Sequence, residues 1–285
     1  MTTATLIIGC GYLGERVARA LLRQGQVVYG TTRSQAGADR LRAVAPGINP
    51  VIADVLDPGS LRTLPAVDRA LHCVGFDRSA GVPIRRVYVD GFDHVIEALA
   101  HKAKTLIYAS STGVYGQDDG DWIDERSTTE PTTESGRACL DAERLLSTFP
   151  GRWAIVRFSG LYGPDRVPRR ASLLKGEPIA GDPAKWINWI HIDDAADAAI
   201  AALDRAKSGE TYLASDDRPV RRDEFYSFVA DRLGAPLPRF VPLPPGGRED
   251  SNKRVANRKI REELDVRWLH ADYRSGILDA LKSGE

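Results

Sequence analysis

The glycines of "IIGCGYLGERV" are the first residues whose spacing carries chemistry. Gly9, Gly11 and Gly14 stand in G-x-G-x-x-G order, with Tyr12 and Leu13 between the last two, after an apolar run and at the head of an amphipathic one. In that setting Gly9 permits a tight turn, Gly11 lets the backbone approach a pyrophosphate, and Gly14 lets helix and strand pack closely. The helix N-terminus adds unpaired N–H groups and the positive end of its dipole. A bland tight turn is the other reading of three glycines; the strand before them and the helix after them favour a dinucleotide loop.

The end of the second apolar run chooses between dinucleotides. A site for NAD usually has Asp or Glu there, about 20 residues past the loop, to hold the ribose hydroxyls. Here the chain reads "YGTTRS", Tyr29 to Ser34, with no carboxylate. Arg33 can pair with a 2′-phosphate, and Thr32 or Ser34 can add hydroxyl hydrogen bonds. NADP is therefore expected ahead of NAD, the alternative being a solvated surface arginine.

The elements that must position these residues alternate in kind. Runs at 4–9, 26–32, 49–54, 69–75, 104–111 and 152–160 read as buried strands, and 14–25 and 85–102 between them have helical spacing. Strands alternating with helices of this length predict crossover units and a parallel sheet covered on both faces, an α/β doubly wound architecture of Rossmann type. Residues 1–165 form this domain, completed by 187–216, where "GETYLAS" supplies one more strand. Residues 166–186 and 217–285 are expected to make a small substrate lobe over the carboxyl ends of the strands.

Composition narrows the partners. The 39 basic and 39 acidic residues cancel, so no charge excess draws the chain to nucleic acid or a membrane surface. No run of 18 apolar residues occurs. The three cysteines, Cys10, Cys73 and Cys139, have neither disulfide-framework nor zinc spacing, so a reducing cytoplasm is the expected location and no metal is expected.

Several stretches in order resemble the extended short-chain dehydrogenase/reductases of the NAD-dependent epimerase/dehydratase type. "VIADVLDPGSL" resembles the family's adenine-contacting pair, here Asp54 and Val55. "LIYASSTGVYG" resembles the strand delivering the active-site Ser or Thr, here Ser111; "VRFSGLYGP" and "NWIHIDDAADAAIAAL" resemble two later family stretches. Gly75, closing "RALHCVG", joins the expected cofactor-binding set. The resemblance implies a small-molecule substrate, and a homodimer through the helices at 85–102 and 132–148.

One family feature is missing. Where the family carries Tyr-x-x-x-Lys, "PTTESGRACLDAERLL" aligned on Gly136-Arg137 and Ala142-Glu143 places Ser135 at the tyrosine and Cys139 at the lysine. The family's asparagine position falls at Tyr88. The tyrosine moves a proton at the reacting oxygen and the lysine lowers its pKa, a service worth about 10² to 10⁴ in rate. A serine hydroxyl and a neutral thiol cannot replace them. This pattern resembles the atypical members, which keep the fold and glycine loop but not the tetrad.

Other candidates carry a plain reading beside a functional one. Tyr88, Tyr115 and Tyr162 are substitute proton donors or packing residues. His191 is a cap or core residue or a catalytic one, and Asp193 and Asp194 suit a helix first turn. Arg137 is an anion ligand or a solvated side chain. The expected function is a divergent NADP-dependent epimerase, dehydratase or oxidoreductase on a small polar or sugar-like substrate. The alternative is an inactive NADP(H)-binding sensor or structural protein.

Overall fold

Seven parallel strands run through the centre of the chain: β1 (Ala4–Ile8), β2 (Val27–Thr32), β3 (Asn49–Ile52), β4 (Val67–His72), β5 (Ala103–Ser111), β6 (Arg152–Phe158) and β7 (Glu210–Ala214). The computed structural model describes residues 2–244 and 251–282, so parts of the expected 217–285 segment lie outside the described residues. Strand order is β7-β6-β5-β4-β1-β2-β3, with every neighbouring pair parallel. The order reverses at β1, leaving a crevice between the carboxyl ends of β1 and β4, where open α/β sheets bind ligands.

The strands read as apolar runs because both faces are covered. Leu6, Ile7 and Ile8 are all fully buried although successive side chains point to opposite faces. Helices Tyr12–Arg23 and Ile192–Arg205 cover one face through residues such as Val17, Leu21, Ala199 and Leu203. The alanine-rich "AADAAIAAL" lets the second approach the first closely. Helices Gly91–Leu99 and Glu134–Leu145 cover the other face through Phe92, Val95, Ile96 and Ala142. The helix expected at 85–102 opens differently, with a π-type turn at Arg86–Asp90 that contains Tyr88.

A second core lies beyond the sheet. Phe225, Tyr226 and Val229 of helix Arg222–Arg232 meet Tyr273 and Ile277 of helix Tyr273–Lys282, together with Leu173 and Ile179. Trp189 stacks on Phe225, ring centres 4.9 Å apart, and packs against this core. No helix among the described residues is long and apolar enough to cross a membrane.

Candidate functional site

The glycine loop follows directly from its side-chain volumes. Gly9 has φ +85°, and a Cβ there would sit 2.6 Å from the Val74 backbone. Its N–H donates to Thr31 Oγ1 at 2.9 Å. A Cβ on Gly14 would lie 2.9 Å from the Gly9 carbonyl oxygen, so only glycine lets the helix seat against the turn. At Gly11 a Cβ would meet nothing within 4 Å. The first and third glycines are demanded by the protein's own packing; the second faces open space at the start of helix Tyr12–Arg23. That is the fit a pyrophosphate requires.

Gly11, Tyr12 and Leu13 border a groove of about 820 Å³ along the carboxyl ends of the strands. Thr32 and Arg33 border it at the end of β2, Asp54 and Val55 after β3, Gly75 after β4, and Ser111 at the end of β5. The structure thus brings nearly all the sequence-predicted cofactor residues to one wall. Gly14 and Ser34 are set behind it. Ser34 caps helix Gln35–Val44, its Oγ accepting from the Gly37 N–H at 3.1 Å. Arg33 is largely exposed and reaches Asp77 Oδ2 at 3.4 Å, so a carboxylate already faces the guanidinium. Asp54 turns its own backbone through Oδ1, which accepts from the Leu56 N–H at 2.9 Å. Tyr12 anchors the loop across the groove by donating its hydroxyl to the Pro164 carbonyl at 3.0 Å.

At the nearer end of helix Glu134–Leu145, Thr133 caps the first turn, its Oγ1 accepting from the Gly136 N–H at 3.0 Å. A side chain at Gly136 would collide with the Gly113 carbonyl, so this glycine presses the helix onto the turn after β5. In that turn Ser111 Oγ accepts from the Gly113 N–H at 3.0 Å. Ser135 borders the groove with its Oγ 3.2 Å from Thr133 Oγ1. Cys139, one turn further, does not. It is buried among Val114, Tyr115, Leu140 and Leu213, and burial, with Glu143 nearby, pushes its thiol up to about 12. A neutral thiol in the core offers no cation to Ser135.

Of the three candidate tyrosines, Tyr115 and Tyr162 are buried in packing. Tyr88 borders the groove, brought there by the π-type turn, and burial raises its phenol above the ordinary value. Tyr88 is therefore protonated across the physiological range, in the state that donates. His191 caps helix Ile192–Arg205, its Nδ1 accepting weakly from the Asp193 N–H at 3.4 Å, and Asp193 and Asp194 lie in the first turn. Arg137 is exposed and donates to the Thr132 carbonyl at 3.0 Å, a brace for its own strap.

A residue that sequence reading passed over completes the neighbourhood. Lys253 is 3% exposed and donates its Nζ to the Tyr115 carbonyl at 2.9 Å, across 138 positions. Burial brings its ammonium down to about 8. It borders a second cavity of about 320 Å³, beside Thr112, Thr133, Arg169, Trp186 and Arg222. Three cations and no carboxylate border this cavity among the described residues. The local signal was faint, a single lysine in "SNKRVAN" with no periodic or motif context.

Comparison with known proteins agrees with this arrangement. Protein YeeZ of Escherichia coli K12 is 29% identical over 273 residues, which is 93% of this chain and 96% of that protein. A conserved protein of unknown function from Silicibacter pomeroyi DSS superposes over all of both chains with a TM-score of 0.82 and 31% identity. DesIV, a dTDP-glucose 4,6-dehydratase from Streptomyces venezuelae solved with NAD, shares the fold with a TM-score of 0.85. That likeness covers 98% of this chain and 96% of DesIV at 21% identity. The family model described as NAD dependent epimerase/dehydratase family matches residues 5–214, and the chain, with its parallel sheet and glycine loop, belongs to that family.

Proposed function

We propose that the chain binds NADP(H) in the strand-end groove and acts as an oxidoreductase, epimerase or dehydratase on a small polar, sugar-like substrate bearing an anionic group. The observation that carries this reading is the glycine loop, crowded at Gly9 and Gly14 and open at Gly11. A nicotinamide dinucleotide held there supplies hydride transfer. Arg33, with no carboxylate at the end of β2, supports NADP over NAD. A 2′-phosphate accepts a forked pair of hydrogen bonds from the guanidinium and outcompetes the ion pair with Asp77, which is exposed and screened by solvent. The cationic second cavity suits the anionic part of the substrate, and its wall at Thr112 and Thr133 adjoins the groove at Ser111 and Ser135. In this reading Ser111 orients the reacting oxygen and Tyr88 donates the proton. A cytoplasmic location and a homodimer belong to the same reading.

Calorimetric titration tests it. NADPH should bind more tightly than NADH, and Arg33→Ala should remove most of the difference; equal wild-type affinities would refute the cofactor assignment. A second reading, cofactor binding without turnover, is favoured by one observation. Among the described residues the groove has no lysine on its wall, and Cys139 stands in the core. Tight NADPH binding with no oxidation across a panel of carbonyl compounds and nucleotide sugars would select it.

A further inference from the structure

Two of the chain's five histidines face each other in the interior, and three of their four ring nitrogens have no hydrogen-bond partner among the described residues. His191 is fully buried and His270 is 7% exposed, with ring centres 4.1 Å apart. His191 Nε2 and both ring nitrogens of His270 have no hydrogen-bond partner among the described residues. An unpaired buried polar atom is costly to keep, so three in one place call for a ligand. Asp279, from helix Tyr273–Lys282, brings a carboxylate oxygen to 3.7 Å from His191 Nε2. One ligand atom from each of His191, His270 and Asp279 lies within 4.8 Å of the others.

We propose that these three side chains bind a divalent first-row metal ion, zinc by donor set, at the seam between the parallel-sheet half and helix Tyr273–Lys282. Two imidazoles and a carboxylate are a common zinc ligand set, and a water completes four-coordination. Zinc–ligand distances of about 2.0–2.2 Å require the donor atoms to draw closer than 4.8 Å. The His270 ring can make the approach, because no hydrogen bond holds it among the described residues. The surroundings are set for it. Asp194 pins the backbone carrying His270, accepting from the Leu269 N–H at 2.6 Å and the His270 N–H at 3.0 Å. With the ion on Nε2 of His191, the proton moves to Nδ1, which gives up its weak bond from the Asp193 N–H and can donate instead to Asp193 Oδ2, now 3.7 Å away, once the two draw closer. A carboxylate behind a ligating histidine fixes its tautomer and raises its basicity. The ion would tie the C-terminal helix to strand Trp189–His191, which runs beside Gly160–Tyr162.

The test uses full-length protein purified without a polyhistidine tag and stripped with chelator. Exposure to zinc chloride followed by desalting should leave about one zinc per chain by elemental analysis, and cobalt should give the visible absorption of a tetrahedral site. Zinc at about a hundred times its dissociation constant should raise the melting temperature by roughly 5 °C or more. His270→Ala and Asp279→Asn should each abolish these effects while NADPH titrates as in wild type. Failure of the wild-type protein to take up zinc or cobalt would overturn the proposal without requiring any variant to fold. Uptake unchanged in both variants would overturn it equally, and the orphaned nitrogens would then belong to a buried water.

Discussion

Arg157 grips Glu143 side-on in the core, Nε 2.9 Å from Oε1 and Nη2 2.6 Å from Oε2, with side chains only 8% and 3% exposed. The same carboxylate accepts the Ser110 hydroxyl at 2.5 Å, and Arg157 Nη1 donates to the Tyr115 hydroxyl at 2.6 Å. This network ties helix Glu134–Leu145 to β5 and β6. It holds in place the helix whose Ser135 borders the groove.

Breaking the pair from one side should be costly, because Glu143→Ala leaves a buried guanidinium without its anion. The expected loss is about 3–5 kcal/mol of unfolding free energy, read from urea denaturation followed by tryptophan fluorescence. A loss below about 1 kcal/mol would mean that the pair is solvated like a surface bridge.

The glycine loop should divide into structural and ligand-facing positions. Gly11→Val should abolish NADPH binding in a protein whose melting curve and far-ultraviolet dichroism match wild type, since its side chain would point into open space. Gly14→Val, which collides with the Gly9 carbonyl and Ile7, should lower stability as well. Retained cofactor binding in folded Gly11→Val would assign the loop another purpose.

Proton transfer should run through Tyr88 and not through the inherited positions. Ser135→Ala and Cys139→Ala are expected to change NADPH-dependent turnover by less than about tenfold, whereas Tyr88→Phe should cost about 10² to 10⁴ with cofactor affinity preserved. Steady-state rates beside cofactor titrations separate the two cases. A large loss from Ser135→Ala would make the serine a working catalytic group.

Lys253 should give stability a signature in alkali. Its pKa falls from an ordinary 10.5 to about 8 in the folded chain, so between these values the unfolded chain binds the extra proton. Below about pH 8 the penalty for burying the charge is fully present, and it is relieved as pH rises toward 10.5. Lys253→Met lacks this relief. The stability of wild type relative to Lys253→Met should therefore climb by about 2–3 kcal/mol between pH 8 and 10.5, measured by urea unfolding at each pH. A flat difference across that window would show that the amine stays charged when folded.

The parallel sheet and the glycine loop were legible in the sequence because both are local. Strands buried on two faces must be apolar at every position, as Leu6, Ile7 and Ile8 are, and a phosphate turn needs its glycines at fixed offsets between strand and helix. That no carboxylate stands among residues 29–34 could be read for the same reason, since one residue's identity at one position is enough. Tertiary structure decided what depends on distant segments meeting. Asp77 reaches Arg33 across 44 positions, and the Tyr115 carbonyl holds Lys253 across 138. His191 and His270 lie 79 residues apart in the chain, yet their rings touch because Asp194 draws in the backbone of Leu269 and His270. Helical spacing placed Tyr88 on a regular helix, where the chain instead makes a π-type turn beside the groove. Burial gives these residues their chemistry: it neutralises Cys139, depresses Lys253 and leaves the histidine nitrogens unpaired. Burial is a property of the packed chain and of no single segment within it.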